Sequence, residues 1–100
     1  MRLKQYYPML ADTGCSYNLC SEQICKDLRV RIFPFKREMS IIDASGNLLS
    51  LLGSAYLYVR TQVLGRNTIK KLEVAVMKGG SSDREILLSL KTLVDWNLLH

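Results

Sequence analysis

Leu48 to Val63 reads as one long strand-forming run, interrupted at Gly53 and Ser54. Its second half, Ala55-Tyr56-Leu57-Tyr58-Val59-Arg60, is rich in aromatic and β-branched residues, which fit a pleated sheet surface. A run of this length commits the chain to a fold built mainly of strands. The residues on either side agree. Ala44-Ser45-Gly46-Asn47 is a turn cluster in which Gly46 is able to take positive φ, so the arms around it form a hairpin. Gly65-Arg66-Asn67 is a second turn. Ile69 to Met77 then alternates, with Leu72, Val74 and Val76 on one face and Lys71, Glu73 and Ala75 on the other.

The remaining elements are shorter. Residues 5 to 11 form an apolar strand. Ser21 begins a short helix with Glu22 in its first turn and Ile24, Cys25 and Leu28 as its apolar stripe. Arg29 to Phe33 alternates as a half-buried strand, which Pro34 stops. Met39 to Asp43 is another strand. Gly79-Gly80-Ser81-Ser82 is a loop, and Ile86-Leu87-Leu88 is wholly apolar, as in a strand buried on both faces. Ser89 caps a last helix with Leu90, Leu93, Val94, Trp96 and Leu98 as its apolar positions. Trp96 reads as the helix's core anchor.

One hundred residues make a single domain, residues 1–100, with one modest core. The composition, 48% hydrophobic and 23% charged, is globular. No apolar run approaches the ~20 residues of a membrane span, and no leader-like apolar stretch opens the chain. An intracellular protein without a membrane partner is expected. The formal charge of +5 comes from basic residues that look scattered: Lys26, Arg29, Arg31, Lys36, Arg37, Arg66, Lys70 and Lys71. Solvated surface charge is the plain reading, with no specific nucleic-acid partner. Tyr56 and Tyr58 read as sheet surface or core. Three cysteines, Cys15, Cys20 and Cys25, are an odd set whose spacing fits neither a disulfide framework nor a zinc site, and packing is their plain role. No metal and no cofactor is expected.

The chemistry lies in Ala11-Asp12-Thr13-Gly14-Cys15-Ser16, where a strand runs into a tight turn. Asp27, Asp43, Asp83 and Asp95 fit caps, turns and surface positions instead. Four landmarks then fall in order. Asp12-Thr13-Gly14-Cys15-Ser16 resembles the D-T-G-[AS]-S signature of the retropepsins, the aspartic proteases of retroviruses and LTR retrotransposons. Tyr17-Asn18-Leu19-Cys20-Ser21 resembles the S-x-N-F-I-S continuation of the retrotransposon enzymes. Asp43-Ala44-Ser45-Gly46, with Gly53 further on, resembles their flap. Ile86-Leu87-Leu88-Ser89 with Val94-Asp95-Trp96 resembles the I-[IL]-L-G…D-W-L ending. The resemblance runs from about Tyr6 to Leu99. Ser89 stands where the family has a glycine close to the catalytic turn, and Cys15 where it has Ala or Ser.

The resemblance implies a mainly β, closed retropepsin-like barrel with a flap hairpin, a short helix after the catalytic turn and a C-terminal helix. It implies an aspartic endopeptidase that matures a retroelement polyprotein. Carboxylate-driven peptide hydrolysis requires one ionised and one protonated carboxyl side by side. With one D-T-G per chain, the second Asp12 must come from a second copy, so a homodimer is expected. Asp12 is the catalytic carboxylate, Thr13 braces the two turns across the axis, and Gly14 admits close backbone approach. Ala44, Ser45 and Gly46 would close over an extended peptide substrate. Ser89 and the short stretch after the last helix motivate the alternative, an inactive retropepsin-like domain for dimerisation or peptide binding.

Overall fold

The computed structural model of the chain describes residues 7–11, 14, 16–42, 46–63, 65–78 and 85–98. In chain order the elements are β1 (Met9–Ala11), β2 (Leu19–Ser21), α1 (Glu22–Leu28), β3 (Phe33–Ile42), β4 (Leu48–Val63), β5 (Arg66–Met77), β6 (Ile86–Leu88) and α2 (Leu90–Asp95). The strands make one six-stranded sheet in the order β1-β6-β2-β5-β4-β3. It is curled into a half-barrel. Among the described residues β1 and β3 remain its edges, so the closed barrel expected from the sequence is an open one here.

β4 pairs antiparallel with β5 from Leu51↔Met77 to Val63↔Arg66. Gly53 does not interrupt it. The register shifts between Leu51 and Gly53, a bulge, and the strand continues. A Cβ built on Gly53 would overlap the carbonyl of Phe33 on the neighbouring strand, so glycine is required by close backbone approach. The turn expected over Gly65 to Asn67 is tighter than that. Arg66 and Asn67 already pair with Val63 and Gln62, and Gly65 takes φ 77°.

The segment before the β3–β4 hairpin differs more. Arg29 to Ile32 is not strand; Arg29 is the left-handed cap of α1, at φ 55°. The alternation there is real as burial, since Val30 and Ile32 pack on the core from an irregular segment. Nor does Pro34 stop the strand. It lies within β3, which starts at Phe33 and runs on into the strand expected from Met39. A proline lacks the N–H that a central strand needs, but β3 is an edge strand. The ladder to β4 holds at Phe33 and Pro34, slips, and resumes from Met39 to Ile42.

The main core lies on one face of the sheet. Ala55, Leu57, Leu72, Val74 and Val76 meet Ile24 and Cys25 from α1, Leu93 from α2, and Ile86 and Leu88 from β6. Ser21 caps α1 by accepting from the Ile24 N–H at 3.3 Å, and Ser89 caps α2 by accepting from the Thr92 N–H at 3.3 Å. Of the apolar positions expected for the last helix, Leu93 is buried and Trp96 is half-buried, following the helix as its C-cap. Leu90, Val94 and Leu98 are exposed, because a helix this short turns only one side to the sheet. No described helix is long and apolar enough to cross a membrane.

Candidate active site

β1 ends at Ala11, one residue before Asp12. It pairs in parallel with β6, through Met9↔Ile86, Leu10↔Leu87 and Ala11↔Leu88, and the Ile86 N–H donates to the Pro8 carbonyl at 2.9 Å. On its other side β6 pairs antiparallel with β2 at Leu19↔Leu87. β6 therefore lies between the two strands that the 12–18 connection joins. Ala11 pairs with Leu88, so the chain leaves β1 at the end where β6 gives way to Ser89.

Asn18 fixes the end of the connection. Its side-chain oxygen accepts from the Ser89 N–H at 2.8 Å, and its amide donates to the Glu73 carbonyl at 3.0 Å. Its own carbonyl accepts from the Ala75 N–H at 2.8 Å. One residue thus ties the connection to the β6–α2 junction and to β5. Sequence reasoning assigned Asn18 no role of its own; its only signal was its place in the S-x-N continuation. Ser89 is 4% exposed, and its hydroxyl is engaged with the Thr92 N–H and Thr92 Oγ1. The side chain that replaces glycine here serves as the helix cap.

Asp12, Thr13 and Cys15 lie outside the described residues, as do Ala44 and Ser45. Gly14 is an exposed turn residue. Gly46 takes φ 84°, as the hairpin turn requires, and its arms meet at Ile42↔Leu48. Of the other acids, Asp27 accepts from Gln23 Nε2 at 2.9 Å within α1 and Asp95 is exposed at the end of α2, both as expected; Asp43 and Asp83 lie outside the described residues.

Leu10, Leu87 and Leu19 are successive register partners and so share one face of the sheet. On that face Leu19, Leu51 and Ala75 form a second, smaller cluster, with Phe35, Ile41, Met77 and Leu87 packed against it. A cleft of about 150 Å³ opens beside it, lined by Tyr17, Asn18, Phe35, Met39, Ser54 and Glu73 among others. The sheet face at Leu10, Leu87 and Leu19 is therefore apolar, and among the described residues β1 and β3 are open strand edges. An extended peptide finds both backbone partners and side-chain contacts on such a surface.

Cys20 and Cys25 are free, fully buried in the main core, and hydrogen-bonded Sγ to Sγ at 3.6 Å. The contact with Cys25, and then burial, push the Cys20 thiol well above its ordinary range. Both act as packing residues, as expected. No cluster of three or more metal-binding side chains occurs among the described residues.

Three of the basic residues sit over aromatic rings. The Arg31 guanidinium sits over the Phe33 ring at 4.9 Å, the Lys71 ammonium over Tyr56 at 4.3 Å, and Lys70 over Trp96 at 5.9 Å. Lys70 and Lys71, adjacent on β5, turn to opposite faces of the sheet.

Neither a family model, nor a curated protein, nor a solved structure matches this chain.

Proposed function

We propose that the chain is one half of a homodimeric, retropepsin-like aspartic endopeptidase that cuts extended segments of a retroelement polyprotein inside the cell or particle. The observation that carries this reading is the Asp12-Thr13-Gly14 sequence directly after a strand that pairs in parallel with β6. The apolar face beside it and the flap-like β3–β4 hairpin support the same reading.

In this reading two Asp12 carboxyls meet on the dimer axis and share one proton. The ionised carboxylate takes a proton from water as the water oxygen attacks the scissile carbonyl carbon. The protonated partner gives its proton to the carbonyl oxygen. As the resulting diol collapses, one of its hydroxyls gives its proton to the ionised carboxylate, the C–N bond breaks, and the leaving nitrogen takes the proton of the other carboxyl. Thr13 braces the paired turns, Gly14 admits the substrate backbone, and Ala44, Ser45 and Gly46 close over it. Ser89 is compatible with this activity because its hydroxyl is turned to Thr92.

The test is cleavage of a peptide library by wild type and Asp12→Asn across a concentration series, with sedimentation on the same samples. Cleavage that rises with the dimer fraction and is lost in the variant is the expected result. Activity that survives Asp12→Asn would sink the proposal. A folded dimer that never cuts would move the chain to the alternative reading, a non-catalytic dimerisation or peptide-binding domain.

A further inference from the structure

Away from the Asp12 turn, the β4–β5 ladder presents a second organised surface. Tyr56, Tyr58 and Arg60 alternate onto one face of β4, and their register partners Glu73, Lys71 and Ile69 share that face. Phe33 extends it onto β3, where its ring meets Tyr56 edge to face, with centroids 6.1 Å apart and planes at 69°. Arg31 covers Phe33 and Lys71 covers Tyr56. The result is a band in which cations and rings interleave.

The band is not core. Phe33 is 42% exposed, Tyr56 38% and Tyr58 72%. Its charge is one-sided: Arg31, Arg60 and Lys71 stand against the single carboxylate of Glu73 among the described residues of this β4–β5 face. A surface of this kind complements a polyanion that also carries flat apolar groups. Aromatic rings stack on any base, and cations track the phosphates. Alternate positions along a strand repeat every ~6.8 Å, twice the ~3.4 Å rise per base of a stacked strand. A duplex keeps its base faces stacked on one another, so rings on a flat sheet reach them only in a single strand.

We propose that this face docks single-stranded nucleic acid without sequence preference. The strand would run along β4, with a base stacked on Tyr58, phosphates at Arg31, Arg60 and Lys71, and the Phe33 and Tyr56 rings holding two of those cations in place. This proposal stands apart from the protease reading and survives or fails without it.

The test is fluorescence polarisation of the whole chain with a labelled 12-mer of uridine RNA over a range of salt. Matched duplex RNA and inorganic polyphosphate serve as competitors. Three neutralised phosphates give a slope of log affinity against log salt of about −2 for a single strand. Tyr58→Ala should weaken binding at least about fivefold with little change in salt slope, while Tyr58→Phe stays near wild type. Arg60→Ala should weaken binding and make the slope shallower by about 0.7. Both side chains are exposed, so thermal melts of the variants should match wild type. The proposal is overturned if the RNA does not bind at low salt, or if a folded Tyr58→Ala binds as wild type does. It is equally overturned if polyphosphate or duplex competes as well as the single strand, since charge alone would then account for the surface.

Discussion

On one face of the sheet Ala55, Leu57, Leu72, Val74 and Val76 are at most 2% exposed and meet both helices. On the other, Leu19, Leu51 and Ala75 are buried, yet Leu10 is 43% exposed and Met39 36%. Both faces are apolar, but only the first is finished within one chain. The first face supplies the free energy of folding. Among the described residues the second keeps apolar surface in water, which a folded monomer gains nothing by doing. In the proposed function that surface is what the peptide and the second copy cover.

The sharpest way to break this comparison is to truncate one leucine on each face. Leu57→Ala should cost about 2–5 kcal/mol in denaturant unfolding, through lost transfer energy and a cavity. Leu10→Ala, whose side chain is already partly hydrated, should cost under about 1 kcal/mol yet reduce peptide cleavage. Equal stability losses would show that the two faces are energetically alike.

Gly53 tests the edge between the faces. Gly53→Ala drives a methyl group into the Phe33 carbonyl, so β3 must move away from β4 or the bulge must re-form. About 1–3 kcal/mol of destabilisation is expected, as for other overpacked sites. If the β3–β4 hairpin closes over substrate as proposed, cleavage should fall further than stability, because the hairpin hangs from this ladder.

Asn18→Ala comes next. It strips the partner from the Ser89 N–H and from the Glu73 carbonyl, and should cost about 1–3 kcal/mol in chemical denaturation. Asn18→Asp dissects the two. A carboxylate still accepts from Ser89 but has no proton for the Glu73 carbonyl, and it adds a charge near Glu73. A variant as stable as wild type would show that the Glu73 bond contributes nothing.

These residues also mark how far the sequence could be read. Local signals were legible: the Ser21 and Ser89 caps, Gly46 at its turn, and the alternation from Ile69 to Met77 all emerge from neighbours within a few positions. β2 was not, because three buried residues carry no periodicity. Pro34 misled because its effect depends on whether the strand lies at an edge, which only topology decides. Asn18 acts on residues 55 and 71 positions away, and no local pattern encodes that. The cation–ring band is invisible for the same reason: Arg31, Phe33, Tyr56 and Lys71 become neighbours only through register. The site was legible as a motif, since Asp12-Thr13-Gly14 needs no tertiary information to be seen. What surrounds it was not.

The smallest expected effect bears on Ser89, the position that departs from the retropepsin pattern the sequence resembles. A serine N-cap replaced by glycine costs only a few tenths of a kcal/mol, whereas Ser89→Ala costs about 0.5–2 kcal/mol because the Thr92 N–H then loses its acceptor. The comparison of the two faces makes a further claim here. Ser89 follows β6 at the end nearest the Asp12 turn, but its hydroxyl belongs to the finished side, capping α2. Ser89→Gly should therefore leave the cleavage rate within about twofold of wild type, the scatter that a few tenths of a kcal/mol allows. A gain of tenfold or more would mean that the serine obstructs the catalytic turn. The chain would then be a retropepsin-like domain held below its full activity by one side chain.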